Sequence, residues 1–159
     1  MVTDSLILPE CIYRPGSFTG LMTLYESNYI RLSHLVSQLD TLSVTNPEPA
    51  LSSSPRDRDL YLEVRSRERY TSTLKLTYWF ADGENLPVAD PDLTVRVYHD
   101  ARLVEAVDAC REHYHQKLRE LARTHSHELN RRWRNNMMLN KWLDYLLDMG
   151  HGFAGLPTG

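Results

Sequence analysis

The sequence predicts an α+β fold: an antiparallel sheet of about four strands, with an N-terminal and a C-terminal helix packed on its apolar face. Two observations carry that expectation. Three segments alternate apolar and polar residues, the period of a half-buried strand, and both ends of the chain carry apolar residues at helical spacing.

The first element is a helix over about 18–40, with Ser17 or Thr19 as N-cap because a short hydroxyl can accept from the free amides of the first turn. Leu21, Leu24, Tyr25, Asn28, Leu32, Leu35, Val36 and Leu39 form its buried stripe. Thr41 to Asp57 holds three prolines and four serines and too few apolar groups to repay ordering, so it is expected to be a surface loop. "DLYLEVRS" points Leu60, Leu62 and Val64 one way. "YTSTLKLTYWFA" does the same with Leu74, Leu76, Tyr78 and Phe80, and the short "RERY" link makes the pair a hairpin. "DGENLPVADPD" reads as a loop. "LTVRVYH" is the third strand, with Leu93, Val95 and Val97 inward and Thr94, Arg96 and Tyr98 outward. "ARLVEAV" is the fourth.

From Val107 the spacing of Cys110, Tyr114, Leu118 and Leu121 indicates a further helix, although sequence leaves 108–124 open between helix and strand. "ARTHSHELN" interrupts it. A last helix then starts at Asn130 and buries Leu139, Trp142, Leu143, Leu146 and Met149, with Gly150 at its left-handed cap. The expected organisation is a tail over 1–16, one domain over 17–152 with the 41–57 loop inside it, and a tail over 153–159. Leu62, Val64, Leu74, Leu76, Val95 and Val97 are expected to meet Leu24, Leu32, Leu35, Leu139, Leu143 and Leu146.

The 159 residues suffice for one domain with a real core. A net charge of −3 gives no overall basic excess, so nucleic acid is not favoured as a partner without a local patch. Two cysteines, Cys11 and Cys110, build no disulfide framework. No stretch approaches the roughly 20 apolar residues of a membrane span. A soluble protein of the cytoplasm, making no membrane contact, is expected.

The densest chemistry is "TVRVYHDARLVEA", which sets Tyr98, His99 and Asp100 side by side. Successive strand side chains diverge, so Asp100 cannot orient His99 if the strand continues. If the chain turns, His99 and Asp100 are corner residues. Either way a hairpin corner is favoured over a catalytic pair, and the sequence points to no other aspartate for His99.

"LMTLYESNYIRL", "TVRVYHDARLVEA" and "NNMMLNKWLDYLLDMGH" together resemble the YqiB-like family of uncharacterised bacterial proteins, over about Tyr13 to Gly152. The residues that carry the likeness are Glu26, Asn28, Tyr29, Arg96, Tyr98, His99, Asp100, Ala101, Asn136, Trp142, Leu143 and Gly150. The chain departs from the family pattern at Asn130-Arg131-Arg132 and over 111–128. The resemblance implies no assigned reaction, cofactor or catalytic residue; it marks a candidate site at Glu26, Asn28, Tyr29, Arg96, Tyr98, His99, Asp100, Asn136 and Trp142.

Other candidates have simpler readings. His113 with His115, and His125 with His127, could ligate zinc from strands or loops, but on a helix such pairs point about 200° apart, so no metal site is expected. Tyr61, Arg65, Lys75, Trp79, Arg96 and Tyr98, with "NRRWRNN" beyond, could stack and hold single-stranded nucleic acid or a nucleotide. An ordinary solvated face is the simpler account. Asn28, Asn136 and Asn140 on apolar stripes read as polar pins between elements; alternatively Glu26, Asn28 and Tyr98 line a pocket. No phosphate loop, nucleophile elbow, HExxH or GxGxxG occurs.

Three functions follow. The favoured one is a non-catalytic binding or adaptor module for a protein partner or a small ligand, with no cofactor. The second is an enzyme with an acid–base site at His99, Asp100 and Glu26. The third is a single-stranded nucleic-acid or nucleotide binder.

Overall fold

The computed structural model describes residues 17–44, 48–80, 88–109 and 126–156. Residues 110–121 of the proposed helix, the pair His113 and His115, His125, and both cysteines lie outside them.

Among the described residues, five strands form one antiparallel meander in the order β1 (Ala50–Ser54), β2 (Asp57–Arg67), β3 (Thr71–Phe80), β4 (Val88–Tyr98) and β5 (Leu103–Ala109). Helices α1 (Phe18–Leu35) and α2 (Ser126–Asp148) pack against each other and against β5, an α+β arrangement. The inward rows run straight across the sheet: Ala50, Leu62, Leu76 and Leu93 in one, Val64, Leu74, Val95 and Ala106 in the next. Leu32, Leu35, Leu139, Leu143 and Leu146 close over them, nearly solvent-free. Each such leucine contributes about 1.5–3 kcal/mol on burial. Leu24 departs from expectation. It joins Leu21, Tyr25 and Trp133 in a separate cluster between the helices.

Ser17 caps α1, its hydroxyl accepting from Gly20 N at 3.1 Å. The helix stops at Leu35, short of the expected 40. Val36 is extended and forms a parallel bridge with Phe153, whose N–H donates to Leu35 O at 2.8 Å. Phe153, in the stretch expected to be a tail, is therefore packed, 3% exposed. Gly150 takes φ +87°. Gly150 N donates to Leu147 O and His151 N to Leu146 O, the paired bonds of a Schellman cap.

Three boundaries differ from the sequence reading. The Ser/Pro-rich segment holds β1, a fifth strand. Its inward residues Ser52 and Ser54 are held by tertiary hydrogen bonds, so no apolar alternation announces it. Asn130 is not the N-cap of α2, which begins at Ser126, and Val107 lies in β5. β4 begins at Val88, inside the stretch read as loop, with Pro91 in its first half.

Candidate functional site

His99 ends the inward-facing series of β4, and Asp100 beyond it is exposed in the turn. The turn spans 99–102, with Arg102 rather than His99 or Asp100 in the left-handed region at φ +56°. The ring of His99 meets three elements. Nδ1 lies 3.3 Å from Asp40 Oδ1, and Nε2 lies 2.7 Å from Ser72 Oγ and beside Arg67 Nη1. Arg67 Nη1 also donates to Ser72 Oγ at 3.2 Å, and Tyr29 OH donates to Asp40 Oδ1 at 2.8 Å.

A β-bulge creates this meeting. Val64 faces Leu74, but the register then shifts so that Arg67 faces Ser72. Simple alternation would put Arg67 outward with Arg65; the extra residue turns it to the face that carries Ser72.

Burial lowers the His99 imidazole below its ordinary value; Asp40 pulls it back up and Arg67 pushes it further down. Burial raises Asp40, but the bonds from Tyr29 and His99 outweigh it and hold the carboxyl below its ordinary value. Burial and the Asp40 bond push the Tyr29 phenol up to about 12. Serine, imidazole and carboxylate stand in relay order, yet Ser72 is 1% exposed and lies under Arg67. The cluster binds and positions protons; it gives a substrate no room at the hydroxyl.

Residues 31–152 match the family model described as "Protein of unknown function (DUF1249)". The chain belongs to that family. His99, Asp100, Asn136 and Trp142 of this DUF1249 protein fall inside the matched span, and Glu26, Asn28 and Tyr29 precede it. No curated protein and no solved structure matches the chain.

The motif residues of this DUF1249 chain divide among separate places. Asn28 and Asn136, both fully buried, bond to each other at 3.2 Å. Asn28 Nδ2 also donates to Val104 O at 3.2 Å, and Asn136 Oδ1 accepts from Ala106 N at 2.7 Å. Asn140 Nδ2 joins them, donating to Asn28 Oδ1 and Ser27 Oγ. The pins expected from the sequence thus tie α1 to α2 and both to β5. The alternative pocket of Glu26, Asn28 and Tyr98 does not form: Glu26 is exposed on α1, and Tyr98 OH donates to Glu105 at 2.5 Å. Glu26 makes no described contact with His99 or Asp100, so that trio does not converge.

On the outward face the charges pair locally. Lys75 meets Asp92 at 3.1 Å, Arg65 meets Glu63 at 3.7 Å, and Arg96 stands opposite Glu105. A second serine–histidine–aspartate cluster, invisible to sequence reasoning, docks the end of α2 on β1. His151 Nδ1 lies 3.0 Å from Ser52 Oγ, and Nε2 lies 3.0 Å from Asp57 Oδ2, which also accepts from Tyr78 OH. Asp57 Oδ2 can only accept, so Nε2 carries the proton of the neutral ring and Nδ1 accepts from the Ser52 hydroxyl, whose oxygen in turn accepts from Gly152 N. The His151 side chain has no exposure, which makes this a structural latch.

Trp142 lies elsewhere again, edge-on to Tyr78 with ring centroids 5.3 Å apart. It helps line an open groove of about 520 Å³ together with Leu93, Met137, Met138 and Lys141. Among the described residues, no three metal-ligating side chains cluster and no helix is long and apolar enough to cross a membrane.

Proposed function

We propose that this chain is a non-catalytic binding module whose ligand is a small anionic amphiphile seated in the groove beside α2. The observation that carries this is the lining: four apolar side chains and one cation, Lys141, which makes no ion pair among the described residues. The volume lies within the range of about 300–1,000 Å³ usual for small-ligand sites. Two adjacent methionines suit a flexible alkyl body, and Lys141 suits a carboxylate at the groove's rim.

The other readings have less support. Ser72 is covered, and neither Glu26 nor Asp100 orients His99, which weighs against an acid–base enzyme. The outward face pairs its cations with carboxylates of the same face, which weighs against a nucleic-acid surface. A YqiB-like bacterial protein of the cytoplasm fits this reading, supported by the motif residues and the cysteine count.

The test is a titration followed by methionine methyl NMR, using a medium-chain alkyl carboxylate and the matched alcohol. Met137 and Met138 should shift while Met22 and Met149 stay still. Lys141→Gln should weaken the carboxylate by about fivefold and leave the alcohol unchanged, the size of one exposed ion pair. No shift at millimolar ligand, or shifts away from the groove, would refute the proposal.

A further inference from the structure

The cluster around His99 is not used by the groove. Its hydrogen-bond directions settle where the imidazole proton sits. A guanidinium can only donate, so Arg67 Nη1 beside Nε2 requires a lone pair on that nitrogen. Ser72 Oγ, 2.7 Å from the same nitrogen, accepts from Arg67 and offers its own hydrogen to Nε2. The ring proton therefore resides on Nδ1, aimed at Asp40 Oδ1. That is neutral histidine in one tautomer.

Adding a proton to Nε2 reverses the contact. Two cations would then face each other and compete for the Ser72 hydroxyl oxygen as acceptor, while the Asp40 contact becomes an ion pair. The charged and titratable groups around the ring come from every neighbouring element. Arg67 faces it from β2, Asp40 from the 3-10 turn after α1, and Asp100 from its own turn. Tyr29 of α1 and Arg102 act through Asp40. The two aspartates favour the proton; Arg67 and burial oppose it.

We propose that His99 is a proton-operated clasp for the β2–β3 hairpin tip: neutral, it holds Arg67 over Ser72; protonated, it keeps Asp40 and releases Arg67. The backbone limits the motion. His99 N donates to Tyr70 O at 2.8 Å and Glu68 N to Thr71 O at 2.8 Å, bonds that do not depend on the ring. Only the Arg67 side chain need leave, and its departure uncovers the Ser72 hydroxyl. A fall in pH through the histidine range thus changes the surface at one end of the sheet, where Arg69 and Tyr70 are already exposed.

Long-range nitrogen–proton NMR of the histidine rings, recorded from neutral to mildly acid pH, tests this on the intact wild-type chain. Above the transition, His99 should carry its proton on Nδ1. Its midpoint should lie below the ordinary 6.5, and the Arg67 side-chain signals should move with the same midpoint. Arg67→Met should raise that midpoint, because a repelling cation and a donor to Nε2 are both removed. A proton on Nε2 at neutral pH would overturn the proposal. So would Arg67 signals indifferent to the His99 transition, or a midpoint that Arg67→Met leaves in place. The first two readouts need no variant, so a poorly folding Arg67→Met protein would still leave a decision.

Discussion

Replacing Asn136 by leucine probes the polar seam between the helices and β5. Leucine nearly matches the volume but supplies neither amide group. Ala106 N, which donates to Asn136 Oδ1 at 2.7 Å, loses that acceptor in a region where Ala106 is 7% exposed. Asn28 Nδ2 loses one of its two acceptors and keeps Val104 O; Arg132 O loses the donor at 2.8 Å. A buried group left unpaired costs about 1–3 kcal/mol, so one full orphan and two weakened partners give about 3 kcal/mol after the gain from apolar burial. For a chain of this size that lowers the melting temperature by about 6–12 °C. Urea unfolding followed by far-ultraviolet circular dichroism would read it as a lower midpoint with unchanged slope. Pairing the change with Asn28→Leu should fall short of additivity by about 1 kcal/mol, since the two share a bond. A loss under about 0.5 kcal/mol, or strict additivity, would refute the claim that these amides act as one unit.

Two further expectations are open to the same assay. Gly20→Ala places a Cβ 2.7 Å from Trp133 Cζ2, an overlap that costs about 1–3 kcal/mol and should raise the near-ultraviolet signature of a displaced tryptophan; wild-type stability would mean the ring moves freely. Stability should fall in two windows as pH drops. Unfolded His99 takes its proton near 6.5 and the folded one lower, so the unfolded state binds more protons and the first loss runs downward from 6.5. Asp40 and Asp57 are held below 3.8, for Asp57 because bonds from Tyr78, Arg58 N and His151 outweigh its burial. Their contribution is present above 3.8 and lost as pH falls below it. A profile flat from pH 7 to 3 would contradict both.

What could be read from the sequence was whatever repeats. Leu62, Val64, Leu74, Leu76, Val95 and Val97 show their common face by alternation, and Gly150 shows the end of α2 by its chemistry. Asn28 was legible as a pin because it interrupts an apolar stripe. β1 was not, because Ser52 and Ser54 face inward for the sake of hydrogen bonds to residues nearly a hundred positions away. The partners of His99 were hidden for two separate reasons. Arg67 reaches it only through a bulge that breaks alternation, and Asp40 arrives from a 3-10 turn 59 positions earlier in the chain. The early end of α1 depended on Phe153, which no local pattern connects to Val36.

The asparagine seam also bears on how the molecule behaves among its own copies. Among the described residues β5 is the last strand of the sheet, and a last strand offers alternate carbonyls and amides to any chain that drifts alongside. Val104 O and Ala106 N, two residues apart, are the groups such a visitor would grip, and both are already taken by Asn28 and Asn136. Two side-chain amides from two helices stand in for the peptide groups of a sixth strand. At those two positions strand addition by another molecule would find its grips occupied.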